Sequence, residues 1–223
     1  MRELRDGHSP AARTGLQWLV LGAILTTVVV FLMSPAIGGL ASLPGHILDR
    51  PVPIRERATA KPLTAAQRMA ARRTAVRVAI GQAGVRERPG NRGARIVNYR
   101  RAVLGAGENP RSSEPWCADF VSWAWRRAGV PIGFGGLGSD YVPELVAWAR
   151  LTRRWHWARA GYTPRSGDLI VYQSGGSMRG HIGLVVKLQG GRVHTIEGNL
   201  SDRVMRRSVK GWAPMVTGYI SPV

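Results

Sequence analysis

The strongest constraint on the fold is a change of pattern near residue 165. Upstream of it, apolar residues recur every three or four positions, which is the spacing of helices with one buried face. Downstream, short β-branched segments are bounded by glycines, as is typical of strands joined by turns. The predicted strands are 168–172, 181–187, 192–197, 204–209 and 216–220. Helices followed by an antiparallel meander predict an α+β domain and exclude a doubly wound parallel sheet.

Four helices are predicted before that change. The first opens at Thr64, which has capping-box spacing with Gln67, and it runs to about Gln82. Its predicted buried stripe consists of Met69, Val76, Ile80 and Ala83. The other three predicted helices are 95–103, 117–128 and 141–151.

The chain has a single cysteine, Cys117, which lies in the first turn of the third predicted helix. Residues typical of helix starts precede it: Ser112, Ser113 and Pro115. The free N–H groups of a first helical turn carry partial positive charge and stabilise a thiolate, so Cys117 is a candidate nucleophile. A lone cysteine is also often a small buried hydrophobe, and the helix alone does not separate these interpretations.

A catalytic thiolate needs a base beside it and a third group that orients the base. Three of the five histidines are unsuitable, because they lie before the apolar N-terminal run, in the following tether or among arginines: His8, His46 and His156. Two histidines remain, His181 and His194, and both lie on predicted strands of one hairpin.

The geometry of that hairpin favours His181. If the turn is centred on Gly190, one-to-one pairing places His181 opposite Asn199 and one diagonal step from Glu197. The same register places His194 opposite Val186, without a polar partner. We therefore predict His181 as the base, Glu197 as its direct orienter and Asn199 as a second support. Asn199 has a purely structural alternative role, since it can cap the turn that follows. Asp168 is a rival candidate for the orienting group, although an Asp after Gly167 is more typical of a turn before a strand.

The N-terminal third predicts a membrane anchor. No charged residue occurs between Arg13 and Asp49, and Leu16 to Met33 is an almost unbroken apolar run of about 27 Å as a helix. We predict a cytoplasmic tail at 1–15, a transmembrane signal-anchor at 16–38, a Pro-rich basic linker at 39–63 and an extracytoplasmic domain at 64–223. A cleaved signal peptide, processed near Ala41 to Gly45, is the alternative, and a buried core helix is a third.

The formal net charge of +19 indicates an anionic partner. Positive charge close to a bilayer favours a membrane surface or an anionic wall polymer, although a solvated arginine-rich surface explains it equally well. No zinc-finger spacing, RNA-binding signature or aromatic-basic ladder supports nucleic acid as the partner. The acids are few and scattered, so we predict neither a required metal nor another cofactor.

Four blocks of sequence carry a family resemblance. They are Pro115 to Val121, Gly167 to Val171, Gly180 to Val185 and Ile196 to Asn199. In this order they resemble the CHAP family, the cysteine, histidine-dependent amidohydrolases/peptidases, over roughly residues 65 to 223. The resemblance implies a papain-like fold in which N-terminal helices pack on an antiparallel sheet. It also implies a catalytic set of Cys117, His181 and Glu197 with Asn199 nearby.

The resemblance further implies a monomeric enzyme that cleaves amide bonds of peptidoglycan, in the peptide stem, in the crossbridge or at the muramyl–alanine link. Some relatives use calcium. Aromatic residues near the cysteine are candidate substrate contacts, although tryptophans on helices are more often core: Trp116, Tyr141 and Trp148. A catalytically silent wall-binding module and a secreted lysin remain the alternatives to a membrane-anchored hydrolase.

Overall fold

A computed structural model describes residues 62–105, 109–174 and 177–223 of the chain. The predicted cytoplasmic tail, the predicted transmembrane helix and nearly all of the predicted linker lie outside these residues. Within the described ranges, every helix is too short or too polar to span a bilayer.

Four α-helices form the first half of the described chain: α1 (Ala65–Ile80), α2 (Ala94–Arg100), α3 (Cys117–Arg127) and α4 (Val142–Leu151). All four were predicted to within three residues at each end. The predicted capping box of α1 is confirmed, because Thr64 Oγ1 accepts from Gln67 N at 3.2 Å and Gln67 Oε1 accepts from Thr64 N at 2.8 Å. Two short 3-10 helices, Phe134–Gly136 and Ala158–Ala160, lie in the connections.

A six-stranded antiparallel sheet forms the second half. Its strands are β1 (Trp155–Trp157), β2 (Leu169–Ser174), β3 (Ser177–Gln189), β4 (Arg192–Glu197), β5 (Met205–Lys210) and β6 (Val216–Ile220). The spatial order is β1-β6-β2-β3-β4-β5, and every pair in it is antiparallel. Five of these strands were predicted, and the α+β class is confirmed. The predicted meander holds for β2 to β5, whereas β6 crosses back to pair with β2 and does not pair with β5. The three-residue β1 was not predicted, because it is too short to show an alternating pattern and depends on pairing with the distant β6.

Helix α3 lies at the centre of the core and packs against α1, α2 and β3. The end of β4 approaches it closely through Gly198. A Cβ atom at Gly198 would lie 2.6 Å from Cβ of Phe120 and 2.8 Å from Cζ3 of Trp116, so no larger residue fits. This close approach brings the carboxyl end of β4 to the N-terminal end of the cysteine helix.

The buried face of α1 differs from the prediction. Its buried residues are Ala71, Ala75, Val76 and Ala79, whereas Met69 is 57% exposed and Ala83 is also exposed. The prediction was therefore wrong for Met69 and Ala83. Small residues occupy the contact face because α1 packs directly on α3, and alanine side chains let two helices approach closely.

Asp168 forms a structural ion pair and is not part of the catalytic cleft. Its fully buried carboxylate accepts hydrogen bonds from Arg72 Nη1 at 2.6 Å, from the Tyr162 hydroxyl at 2.7 Å and from Arg165 N at 2.7 Å. Arg72 also donates to Ser221 Oγ at 2.6 Å and to the main-chain oxygen of Val223 at 3.0 Å. The pair thus joins α1, the start of β2 and the C-terminal segment.

Candidate active site

Cys117 is the first residue of α3 and is 5% exposed. The N-cap residue is Trp116, and no side chain caps the helix, so the predicted start residues Ser112 and Ser113 do not act as caps. The indole N–H of Trp116 instead donates to Glu87 Oε2 at 2.6 Å and fixes the helix start. The partial positive charge of the first-turn N–H groups acts on the sulfur of Cys117, in a turn that also contains the buried acid Asp119.

His181 lies near the start of β3, opposite Tyr172 of β2. The β3–β4 hairpin turns at Gly190 and Gly191, as predicted, but its register shifts between Val185 and Lys187. Because of this irregularity His194 faces Lys187 and not Val186, so that detail of the predicted register was wrong. Beyond the irregularity the pairing follows the predicted one-to-one register.

His181 and Glu197 are in direct contact. The Nε2 atom of His181 lies 2.9 Å from Oε2 of Glu197. Cys117 lines the same cleft as His181 and is close enough to raise the pKa of the imidazole. Since Nε2 bonds Glu197, Nδ1 is the ring nitrogen that remains for the sulfur of Cys117. Gly183 makes room for this arrangement, because a Cβ atom there would lie 2.5 Å from Cγ of Glu197. The structure thus brings the predicted nucleophile, base and orienter together.

The carboxylate of Glu197 is fully buried, and both of its oxygens have polar partners. Its Oε1 atom accepts from the Tyr172 hydroxyl at 2.6 Å and from Thr195 Oγ1 at 2.5 Å, and Nη1 of Arg207 lies 3.7 Å from Oε2. Burial acts to raise the pKa of Glu197, but the hydrogen bonds from His181, Thr195 and Tyr172 outweigh it and lower the pKa. Glu197 is therefore an anion that can stabilise a charged imidazole.

His181 is held in its protonated form. Burial acts to lower its pKa, but the hydrogen bonds to Cys117 and Glu197, and the attraction of both groups for the imidazolium, raise it to about 9. A charged imidazole close to Cys117 is the general acid that a cysteine hydrolase needs for the leaving amine at neutral pH.

The charge on His181 predicts the pH dependence. Activity is expected to fall as pH rises through about 9, because the imidazole then loses the proton that the leaving group requires. The stability that the charge on His181 contributes is fully present below the unfolded pKa of about 6.5 and is lost as pH rises through about 9.

The Glu197→Gln variant tests the cause of the raised pKa of His181. It removes the hydrogen bond and the charge of Glu197, so the fall in activity with rising pH is expected at lower pH than in the wild type. A pH–rate profile of kcat/KM checks both shifts, with Asp202→Asn as an exposed control.

A cleft of about 580 Å³ opens over Cys117 and His181. Asn199 lines it with a left-handed backbone (φ 57°), and Tyr141, which is 42% exposed, lines it from the start of α4. Trp116 and Trp148 do not line this cleft. Both are buried, Trp116 beneath the start of α3 and Trp148 on the inner face of α4. Substrate contact thus has a geometric basis at Tyr141 and none at the two tryptophans.

Two carboxyl groups lie on the rim of the cleft, Glu114 and Asp140. Partial burial raises the pKa of Asp140, and the neighbouring charge and hydrogen bond of Glu114 raise it further. The rim is therefore acidic although the protein as a whole is strongly basic. The sequence did not predict that these two residues are neighbours, because 26 positions separate them and they do not belong to the same strand or helix.

Comparison with protein families assigns the region that contains this site. Residues 109–199 match the family model of the CHAP domain. This segment is a CHAP domain. The match begins before Cys117 and ends at Asn199, so it contains the predicted nucleophile, base and orienter. No curated protein sequence matches the chain.

Three solved structures illustrate what the chain is similar to. The peptidoglycan hydrolase RipB from Mycobacterium tuberculosis is 23% identical over 71% of this chain and 71% of its own, with a TM-score of 0.42. The resuscitation promoting factor interacting protein RipA, altered at one cysteine, is 14% identical over 71% of this chain and 64% of its own, with a TM-score of 0.44. Ly7917 is 19% identical over 56% of this chain and 60% of its own, with a TM-score of 0.36.

Sequence reasoning missed three residues that hold Glu197 in the CHAP domain: Tyr172, Thr195 and Arg207. Thr195 precedes Glu197 by two positions and so shares its face of β4, a signal that the alternation of a strand carries. Tyr172 lies opposite His181 in the β2–β3 pairing, which brings its hydroxyl to Glu197. Arg207 lies over the Tyr172 ring at 4.8 Å and depends on the β4–β5 register, which the sequence alone did not set.

Removal of the Tyr172 hydroxyl tests how the CHAP domain positions its carboxylate. Tyr172→Phe deletes the 2.6 Å hydrogen bond to Glu197, so we expect kcat/KM to fall by about tenfold, the equivalent of one hydrogen bond to a charged group. Tyr219→Phe is the matched control, because its buried hydroxyl bonds the main-chain oxygen of Gly211 and does not contact Glu197. Equal activity of Tyr172→Phe and wild type would show that Thr195 and Arg207 suffice to hold the carboxylate.

Proposed function

We propose that this CHAP domain hydrolyses amide bonds of peptidoglycan through a covalent intermediate on Cys117. The observation that carries the proposal is the contact series from Cys117 to His181 to Glu197, placed at a helix N-terminus beneath an open cleft. A nucleophile, a charged general acid and a buried anionic orienter are the groups that thiol-dependent amide hydrolysis requires.

The geometry supports a two-step mechanism. The thiolate of Cys117 attacks the amide carbonyl, and the C–N bond breaks as the imidazolium of His181 gives its Nδ1 proton to the leaving amine. Neutral His181 then takes a proton from water, whose oxygen attacks the thioester and restores the thiolate while the acid product leaves. The backbone N–H of Cys117 lies at the uncapped helix start and is one donor for the oxyanion of each tetrahedral intermediate.

The substrate assignment rests on the family. Peptidoglycan peptides are amide polymers that an open cleft can accept, and the name of the CHAP family describes cysteine-dependent cleavage of such bonds. The scissile bond lies in the peptide stem, in the crossbridge or at the muramyl–alanine link. The first two define an endopeptidase and the last an N-acetylmuramoyl-L-alanine amidase.

Digestion of purified wall material tests this function. Mass spectrometry of the released muropeptides identifies the cleaved bond from its new amine and carboxyl termini. We expect products from the wild type and none from His181→Gln, while His194→Gln is the matched control, since His194 faces Lys187 on the same hairpin away from Glu197. Wall material that binds the protein but stays intact would support the silent wall-binding alternative, and slow alkylation of Cys117 by iodoacetamide at neutral pH would agree with it.

The membrane location belongs to the same proposal. We propose that residues 16–38 anchor the chain once in the membrane and hold the catalytic domain on the outer side, close to its substrate. The support is the uncharged run between Arg13 and Asp49 and the basic residues before it. Detection of the intact N-terminus in membrane fractions is the expected result, whereas a released protein without residues 1–40 would indicate a cleaved signal peptide and a secreted lysin.

A further inference from the structure

A second cavity is lined in part by the segment that leads to Cys117. It has a volume of about 320 Å³ and is lined by Arg92, Val97, Arg100, Arg111 and Ser112. Among the described residues that line it, three are arginines and none is acidic. Like charges around one cavity repel each other, so an anion in the space between them is stabilised by the surrounding guanidinium groups.

The cavity has a rigid, buried component. Arg100 is only 3% exposed, and its guanidinium donates to the main-chain oxygen of Asn91 at 3.0 Å and to that of Glu114. These two bonds use part of its five N–H donors and fix the plane of the group. The position of Arg100 is thus set before any ligand binds, while Arg92 and Arg111 are exposed.

The cavity and the catalytic cleft share one segment of chain. Arg111 and Ser112 line the cavity, and Glu114, Pro115 and Cys117 line the cleft. Five residues of extended chain span at most about 18 Å, so a short peptide bound across Cys117 is long enough to reach both sites. The acidic Glu114 and Asp140 line the cleft itself and disfavour a carboxylate there by like-charge repulsion.

We propose that this cavity is a subsite for a carboxylate group of the peptide substrate. The inference rests on the function proposed above and adds which substrates the enzyme selects. A planar carboxylate with two oxygens matches the fork of donors on a guanidinium, and the Ser112 hydroxyl supplies a further donor. A peptide stem carries such a carboxylate at its free end, whereas a stem whose carboxylates are amidated does not.

Binding to an inactive protein tests the subsite independently of hydrolysis. The full chain carrying Cys117→Ala is titrated with purified muropeptides and with the same muropeptides after conversion of their carboxylates to amides. We expect the amidated ligands to bind at least about tenfold more weakly, the loss of one charge-assisted hydrogen bond. Adding Arg92→Gln and Arg111→Gln is expected to remove that preference, while Arg95→Gln and Arg101→Gln, a matched pair of exposed arginines outside the cavity, retain it.

Each outcome decides one question. Equal affinity for free and amidated muropeptides in the Cys117→Ala chain would overturn the carboxylate subsite. A thermal shift by inorganic phosphate that needs Arg92 and Arg111, combined with equal muropeptide affinities, would assign the cavity to an anion from another source and also overturn it. Failure of the wild type to cleave any muropeptide, despite carboxylate-dependent binding, would contradict the proposed hydrolase function and leave the subsite standing.

Discussion

Cys117→Ala is expected to abolish hydrolysis of purified wall material, with a loss of at least about 10⁴-fold in kcat/KM. The sulfur atom is the only group in the cleft that can form the thioester, because His181 is held as a protonated acid and Glu197 is fully buried. Water attacking the amide directly would lack the covalent intermediate, and the helix N-terminus and cleft would supply only binding and oxyanion contacts.

The variant must also fold for this loss to be informative. Cys117 is a small buried residue at a helix start, so alanine is expected to change the melting temperature by only a few degrees. Circular dichroism and thermal unfolding check that expectation. A folded Cys117→Ala chain that still releases muropeptides at a rate near that of the wild type would show that another residue is the nucleophile.

Asp168→Asn is expected to give the largest loss of stability, about 3 kcal/mol or more, which corresponds to roughly 10 °C in melting temperature. The substitution leaves the Arg72 guanidinium, whose side chain is 11% exposed, without its charged partner. It also weakens the hydrogen bonds from Tyr162 and Arg165. The effect is large because the pair joins α1 to β2 and, through Arg72, to the C-terminal segment.

An exposed acid provides the matched control for that prediction. Asp202 is exposed and has a positive φ of 59°, a conformation that asparagine tolerates well. Asp202→Asn therefore removes the same charge with little expected effect on the melting temperature. Equal small shifts for both variants would mean that the Arg72–Asp168 pair is replaceable and that hydrophobic packing alone holds α1 to the sheet.

Local patterns in the sequence were sufficient for the elements that carry the catalytic residues. The apolar spacing after Cys117 predicted α3, and the turn at Gly190 predicted the β3–β4 hairpin that brings Glu197 to His181. Both depend on contacts between residues close in sequence, where periodicity and turn chemistry are informative. The choice of His181 over His194 followed from the same hairpin.

Contacts between distant elements were not predictable in the same way. The partnership of Arg72 with Asp168 spans 96 positions, and that of Arg207 with Glu197 depends on which strand follows β4 in the sheet. The exposure of Met69 and the burial of Ala71 and Ala75 depend on the close packing of α1 on α3, which favours small side chains. No local sequence pattern predicts these ion-pair partners or the buried face of α1, because both depend on how helices and strands pack against each other in the folded domain.

Trapping of the covalent intermediate tests the central claim most directly. Wild-type protein is mixed with muropeptides, quenched in acid after a few turnovers, and examined by intact-mass and peptide mass spectrometry. We predict an acyl group bound to the sulfur of Cys117, together with release of the amine product. Cleavage that proceeds with no acyl group on Cys117 and is unaffected by alkylation of that residue would contradict the mechanism.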